Sequence, residues 1–461
     1  MRRNIPRVLA IFSFLFIAAC VGTPNSADQA ELTKRWNLSA VGVTAPFPDG
    51  GTVDFKWNDF EQFPHPTYKG GSPEAYKAFA QVFLEFFSRT DNFELLKQKG
   101  LLNVRLIYKF PSGQLGLDTT FDELAEKLVN LAPVPMSKAY FCNSGSEAND
   151  TVVKMVWYMN NALGRPQKKK IVSRLKGYHG ITVASGSLTG LPNNHRSFDL
   201  PIQGILHTTT PHYYRGAKDG ETEEQFATRC AEELEQLIVK EGGADQVAAM
   251  ICEPVMGAGG VIVPPKTYFA KIQAVLNKYD VLFIDDEVIC GFGRTGKPFG
   301  ADTYGIEADT MSLAKALTSA YQPLSAVVVK DEIFDAILKA SDEMGPFGHG
   351  FTYSGHPVAC AVGLKTLEIY ERDKIFEHAA KLAPQFQARL ARYADHPLVG
   401  EVRGVGMVGA VELVANRHTK AAFDPIGKVG AECLKNCQDN GLICRAIGDV
   451  MAFCPPLIIT S

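Results

Sequence analysis

The sequence is short of an excess charge of either sign, of cysteine and of long apolar runs, and each shortage closes off a class of protein. Its 47 basic and 50 acidic residues leave a formal charge of −3, without the basic excess that neutralising phosphates demands of a nucleic-acid binder. Ten cysteines in 461 residues, with no Cys-x-x-Cys pair and Cys433 to Cys437 as the tightest spacing, are too sparse for a disulfide scaffold. They read as buried thiols of a reducing compartment rather than as disulfides or metal ligands. The apolar run Val8 to Ala19 is too short for a membrane-spanning helix. Ordinary glycine and proline usage, 41 and 26, removes collagen-like and low-complexity readings, and no internal repeat is visible. What remains is a soluble globular protein with a sizeable core: roughly three domains at about 150 residues each, or one large two-lobed enzyme.

The two ends of the chain read differently from its middle. Arg2, Arg3 and Arg7 precede the apolar run, which closes on Ile17-Ala18-Ala19-Cys20. A basic start, a short apolar core and small residues describe a secretory signal, here with Cys20 in a lipoprotein-like box, so residues 1–20 are expected to be such a segment. Residues 21–72 are irregular. Pro73 to Lys99 predicts an amphipathic helix with Phe79, Phe83, Phe86 and Phe87 on one face, an aromatic stripe of the kind that packs into a core.

From about residue 121 apolar strands alternate with helices. Helices are expected at Phe121–Leu131, Asp150–Ala162, Glu223–Glu241 and Tyr268–Tyr279, and strands at Ala139–Cys142, Lys170–Ser173, Val247–Cys252 and Val281–Asp285. This alternation implies a mostly parallel sheet covered by helices on both faces, with ligands held beyond the carboxyl ends of its strands. A Gly- and Pro-rich break at Met344–Gly350 precedes helices at Pro357–Arg372 and Ile375–Tyr393 and short strands at Gly409–Val414 and Met451–Cys454, the pattern of a smaller α+β lobe.

Two stretches fit Gly-x-Gly-x-x-Gly, at Gly291–Gly296 and Gly404–Gly409. Neither runs into a helix whose N-terminus could hold a pyrophosphate, so dinucleotide binding is excluded. Better placed is the strand-to-helix turn Asn143–Asp150: Ser144 can cap the helix and Glu147 complete a capping box. Gly145 allows close backbone approach and Ser146 offers a hydroxyl at the positive helix end, together an anion site. Asp285, Asp286 and Glu287 end a buried apolar run; left unpaired they cost several kcal/mol, so a cation is expected beside them. Lys315 follows Asp286 by 29 residues, about one supersecondary unit, at the tip of the next strand. A lysine in an apolar setting there can lose its proton and attack carbonyls.

An anion cradle, a Schiff-base lysine and a carboxylate for a pyridinium nitrogen are the parts that pyridoxal phosphate needs. With Tyr178-His179-Gly180, Glu253-Pro254-Val255, Asp286–Gly296, Leu313-Ala-Lys315-Ala, Phe351–Pro357 and Gly441–Ala446 in this order, the chain resembles the class III (ω-) aminotransferases of fold type I, from about residue 114 to the end. The resemblance implies an α/β fold with a large cofactor-binding domain at 114–343 and a small C-terminal domain at 344–461 that stops short of a last helix; residues 21–113 are unmatched. It implies a homodimeric transaminase that moves an amino group from an amine or ω-amino acid to a keto acid such as pyruvate, in two ping-pong halves. Lys315 would be the Schiff-base lysine and proton shuttle, and Asp286 the partner of the pyridine nitrogen. Val288 and Tyr178 would flank the ring, with His179 beside Tyr178. Gly145 and Ser146 would bind the phosphate with Thr352 of the other subunit, Glu253 would orient Asp286 or its neighbours, and Arg445 would pair with a substrate carboxylate. No metal is implied, and the cytoplasm is the expected compartment. The residues leave open another chemistry on the same fold (aminomutase, racemase or decarboxylase) and a non-catalytic chain tethered as a lipoprotein.

Overall fold

Strand β6 (Val247–Cys252) is buried along its whole length, and such unbroken apolar runs belong inside parallel sheets whose two faces are covered. The computed structural model describes residues 117–460 except 345 and 346, together with two short strands near the N-terminus. The chain divides into two compact units, at residues 1–121 and 122–461. In the first, β1 (Thr44–Pro46) pairs antiparallel with β2 (Thr52–Asp54). The expected signal at 1–20 and the helix at Pro73–Lys99 lie outside the described residues.

The second unit is built on a seven-stranded sheet. Its strands β3 (Lys138–Cys142), β4 (Lys170–Arg174), β5 (Ile205–Thr208), β6, β7 (Leu282–Asp286), β8 (Thr310–Leu313) and β9 (Ser325–Val329) lie in the order β3-β9-β8-β7-β6-β4-β5. β9 runs antiparallel to both of its neighbours and every other pairing is parallel, so β3 points the same way as β4 to β8. Successive strand residues feed opposite layers, as the two-residue period requires. Ile171, Ala249, Ile251 and Ile284 pack with helix α2 (Gly145–Ala162), while Val172, Met250, Cys252 and Phe283 pack with α4 (Glu223–Lys240) and α5 (Tyr268–Lys278). Helices α1 (Leu117–Leu131), α3 (Val183–Leu188) and α6 (Asp331–Met344) complete the large lobe.

Helix α2 starts five residues before the expected Asp150. Ser144 has extended backbone and its hydroxyl accepts from Glu147 N at 3.2 Å, as expected of the cap. The reciprocal half of the capping box is displaced: Glu147 Oε2 accepts from Asn143 N at 2.7 Å and Asn143 Nδ2 at 2.8 Å. The long glutamate side chain reaches one residue farther back and ties the strand end, rather than the cap residue, to the first turn.

Helices α7 (Pro357–Arg372), α8 (Ile375–Ala391) and α9 (Lys428–Asp439) accompany a second, antiparallel sheet of β10 (Val399–Val405), β11 (Val408–Leu413), β13 (Val450–Phe453) and β12 (Arg445–Ile447), in that spatial order. The glycines of Gly404–Gly409 form the β10–β11 hairpin. At its tip Gly406 has φ +58°, and a Cβ there would fall within 2.5 Å of the Thr295 backbone, so packing and not phosphate binding demands glycine. Among the described residues no helix is long and apolar enough to cross a membrane.

Candidate active site

Because β3, β4, β6, β7 and β8 run in one direction, the residues that follow them gather at one edge of the sheet, where ligands of such sheets bind. There a cavity of about 360 Å³ is lined by Gly145 and Ser146 at the start of α2, Tyr178 and His179 after β4, Glu253 after β6, Asp286 and Val288 at the end of β7, and Lys315 after β8. Thr352 lies exposed in the turns before α7 and Arg445 lies exposed at the start of β12; neither lines this cavity.

The three carboxyl groups at the end of β7 are resolved in three ways, and none of them forms an ion pair with a lysine or arginine among the described residues, although the buried Arg174 acts on Asp285 from nearby. Asp286, 3% exposed, takes Asn149 Nδ2 and His179 Nδ1 on Oδ2, both at 2.8 Å, and Val288 N on Oδ1 at 3.1 Å. A carboxylate only accepts, so His179 carries its proton on Nδ1. Asp285 points to the opposite face and is fully buried. Neither of its oxygens meets a donor among the described residues. Burial, reinforced by Glu287, drives its carboxyl well above the usual range, which favours the protonated form. Glu287 accepts from Ala301 N at 2.7 Å, and burial pushes its carboxyl up as well. Arg174 is a buried cation nearby, yet its Nη2 donates to the Glu253 carbonyl at 2.5 Å and forms no ion pair with the acidic run.

Glu253 is fully buried and bridges two backbone donors, Tyr178 N at 2.9 Å and Gly257 N at 3.0 Å. Burial pushes its carboxyl up. It therefore positions the Tyr178 backbone and makes no hydrogen bond to Asp286.

At the other end of the cavity the first turn of α2 presents backbone N–H groups that no helical carbonyl can satisfy, where the helix dipole favours negative charge. Ser146 Oγ accepts from Ile181 N at 3.2 Å. Gly180, at φ +140°, would place a Cβ 2.5 Å from Ser146 Oγ and 2.2 Å from Ser185 Oγ, and a Cβ on Gly145 would sit 3.1 Å from both Val288 methyls. Side chains at either position would crowd the cradle.

Lys315 holds φ +46°, followed by Ser319 at +48° and Ala320 at +63°. For residues other than glycine such backbone costs on the order of 1–3 kcal/mol each and persists where surrounding structure enforces it. Here Tyr370 Oη donates to the Ala316 carbonyl at 2.7 Å, and Thr318 Oγ1 donates to the Gln322 carbonyl at 2.7 Å. Lys315 Nζ itself has no hydrogen-bond or ion-pair partner among the described residues, so its amine is free to face the cavity.

The sequence points to no role for Asn149, although it belongs to the strand-to-helix turn Asn143–Asp150. The available signal is an amide set in the apolar stripe of α2, beside Ala148, Val152 and Val153, all fully buried; a buried amide needs partners.

A second charged cluster lies where β10 and β11 meet the loops after β5 and β6. His212, Glu401 and Glu412 bring ligand atoms within 4.8 Å of one another. Arg403 Nη1 reaches Glu401 and Glu412 at 2.5 Å each, Arg215 Nε reaches Glu412 at 2.6 Å, and His212 Nε2 reaches Glu401 at 2.8 Å. The carboxylates are already satisfied by cations of the protein, and the arrangement is an ion network.

A family model for the class-III aminotransferases matches residues 114–461. A mitochondrial gamma aminobutyrate transaminase 1 of Solanum lycopersicum is 53% identical over 339 residues, 73% of this chain and 66% of that protein. A probable gamma-aminobutyrate transaminase 4 of Oryza sativa subsp. japonica is 53% identical over 340 residues, 73% of this chain and 70% of its own length. The match thus covers just under two thirds of the Solanum relative. Among solved structures, the omega transaminase of Pseudomonas jessenii in complex with PMP is 58% identical, with a TM-score of 0.73 over 74% of this chain and 75% of that one.

Proposed function

The chain belongs to the class-III aminotransferase family, and from that premise we propose that it is a pyridoxal-phosphate-dependent transaminase. It moves an amino group from an amine or ω-amino acid to a keto acid such as pyruvate, in two successive half-reactions. The observation that carries this reading is the convergence of Lys315, Asp286 and the start of α2 on one cavity. The cradle suits an aromatic phosphate: an anion site at one end, a carboxylate with one oxygen still open to a donor at the other, and an unpartnered amine between them.

Bound pyridoxal phosphate supplies an electron sink that lets a C–H bond next to nitrogen break heterolytically. In this reading the remaining work is done by the chain. Ser146 Oγ and the free N–H groups of α2 hold the phosphate. Asp286, through its open Oδ1, would accept from the ring nitrogen and keep it protonated. Val288 and Tyr178 confine the ring, while Glu253 fixes Tyr178 through its backbone N–H. Lys315 Nζ, the unpartnered amine of the cavity, would take up the proton released from the substrate carbon and give it back later in the same half-reaction. Thr352 completes the phosphate site of a neighbouring subunit in a homodimer, and Arg445 pairs with a substrate carboxylate, bidentate geometry being the strength of arginine. Residues 114–343 form the large cofactor-binding domain and 344–461 the small C-terminal domain, and the protein works in the cytosol.

The test is to incubate the purified protein with pyridoxal phosphate, an amine donor and pyruvate. Alanine accumulating with stoichiometric loss of amine supports transamination. Decarboxylated or racemised donor without alanine would replace it with another chemistry on the same fold.

A further inference from the structure

We infer that Asn149 is a positioning residue for the reaction, selecting which oxygen of Asp286 faces the ligand and locking the Tyr178–Gly180 loop to that carboxylate. The inference rests on the proposal that the cavity binds pyridoxal phosphate.

Asn149 is 1% exposed and spends both hydrogens of its amide. One goes to the His179 carbonyl at 2.7 Å and the other to Asp286 Oδ2 at 2.8 Å. His179 Nδ1 reaches the same oxygen at 2.8 Å. Oδ2 therefore carries two donors, the number a carboxylate oxygen accommodates. Oδ1 has only Val288 N, at 3.1 Å, and keeps a lone pair while Asp286 lines the cavity. Asn149 and His179 thus turn one oxygen away and leave the other for a donor in the cavity. No lysine or arginine pairs with Asp286, and its Oδ1 stays open to a protonated ring nitrogen. A lysine or arginine at position 149 would have satisfied the same oxygen and neutralised it.

The same amide has a second effect. By bonding the His179 carbonyl it ties the loop after β4, which supplies Tyr178 and Gly180 to the cavity wall, to the end of β7. Asn149 stands one turn from Gly145 and Ser146 on α2. One helix therefore carries the anion cradle and, through Asn149, the register of the carboxylate at the far end of the cavity.

Asn149→Ala and Asn149→Asp test this. For each protein the dissociation constant of pyridoxal phosphate is measured by quenching of intrinsic fluorescence between about pH 6 and 9, alongside kcat, KM for the donor and the thermal midpoint of the cofactor-free form. Asn149→Ala is expected to weaken cofactor binding by about ten- to a hundredfold, the loss of a hydrogen bond to a charged group, and to lower kcat with little change in KM. Asn149→Asp sets a second carboxylate against Asp286, and two such groups cannot both be ionised in contact. Its cofactor affinity should be poor at the alkaline end and recover as the pair takes up one proton. A merely structural role would lower the thermal midpoint and leave the pH dependence parallel to wild type. That result, or wild-type affinity in both variants, overturns the inference. Should Asn149→Ala not fold, the pH dependence of Asn149→Asp decides alone. Wild-type protein that binds no pyridoxal phosphate would instead overturn the functional reading beneath it.

Discussion

Beneath the cavity, Asp285, Asp286, Glu287 and Glu253 lie buried around a single turn of sheet edge. Asp285 finds no donor for either oxygen, and Arg174 leaves Nε and Nη1 without acceptors among the described residues. At the junction of the small sheet with the large lobe, Glu412 lies buried and Glu401 half-buried, yet Arg403 meets both of them and also donates to the Gly260 and Val261 carbonyls. Both regions gather carboxylates in low dielectric. One holds a proton in place of a counter-ion; the other is compensated almost atom for atom. Burial acts to raise both junction carboxyls, but His212 and Arg403 at Glu401, and Arg403 and Arg215 at Glu412, leave them below the usual range. The lesson is that a saturated ion network holds elements together, whereas carboxyls perturbed by burial beside a cavity mark where chemistry is done.

The sharpest way to break the comparison is at Lys315. Its replacement by alanine should cut turnover by about 10⁴-fold or more, the upper end of what a positioned acid–base group contributes, with little change in thermal midpoint because the side chain is exposed. Unchanged turnover would remove it from the mechanism. Arg403→Met should do the reverse. Stripping the cation from the buried Glu412 and the half-buried Glu401 is expected to cost about 3–5 kcal/mol of stability by denaturant titration, while the protein that remains folded keeps its cofactor spectrum.

The junction also gives the comparison a pH signature. Glu401 and Glu412 have folded values below the unfolded 4.5, so their contribution is complete above about pH 4.5 and is lost as pH falls through the folded values. Asp285 has the opposite sign: raised above 3.8, it favours the fold at low pH and loses that contribution as pH rises through its folded value. Acidification should therefore loosen wild type at the junction, and the stability of Arg403→Met should fall less steeply over the same range. Asp286→Asn should slow turnover by about a hundredfold, a barrier increase of a few kcal/mol, with a smaller loss of stability. Asp285→Asn is the mildest. Burial favours the protonated form of Asp285, so an amide of the same shape should change stability by less than about 1 kcal/mol; a larger loss would mean that it is ionised in the fold.

Much of the site was legible before the fold was seen, and for a physical reason. Val247–Cys252 and Val281–Asp285 are apolar runs that stop at a charged residue, and in a parallel sheet the stopping points share an edge; that places Glu253, Asp286 and Lys315 together. The capped start of α2 was legible because capping chemistry is local, although the partner of Glu147 proved to be Asn143. What the sequence concealed depends on long-range pairing. Asn149 and Asp286 are 137 residues apart and Arg215 and Glu412 are 197 apart, and no local pattern announces such partners. The short buried strands β5 and β9 were missed because four- and five-residue apolar runs carry little periodicity.

The most direct measurement is the visible absorption spectrum of the purified protein with pyridoxal phosphate, before and after an amine donor, compared with Lys315→Ala. If the underpaired cavity floor is the reactive centre, wild type will show a yellow band that bleaches on adding donor, and Lys315→Ala will not bleach at a comparable rate. A wild-type spectrum identical to free pyridoxal phosphate, unchanged by donor, would contradict that assignment.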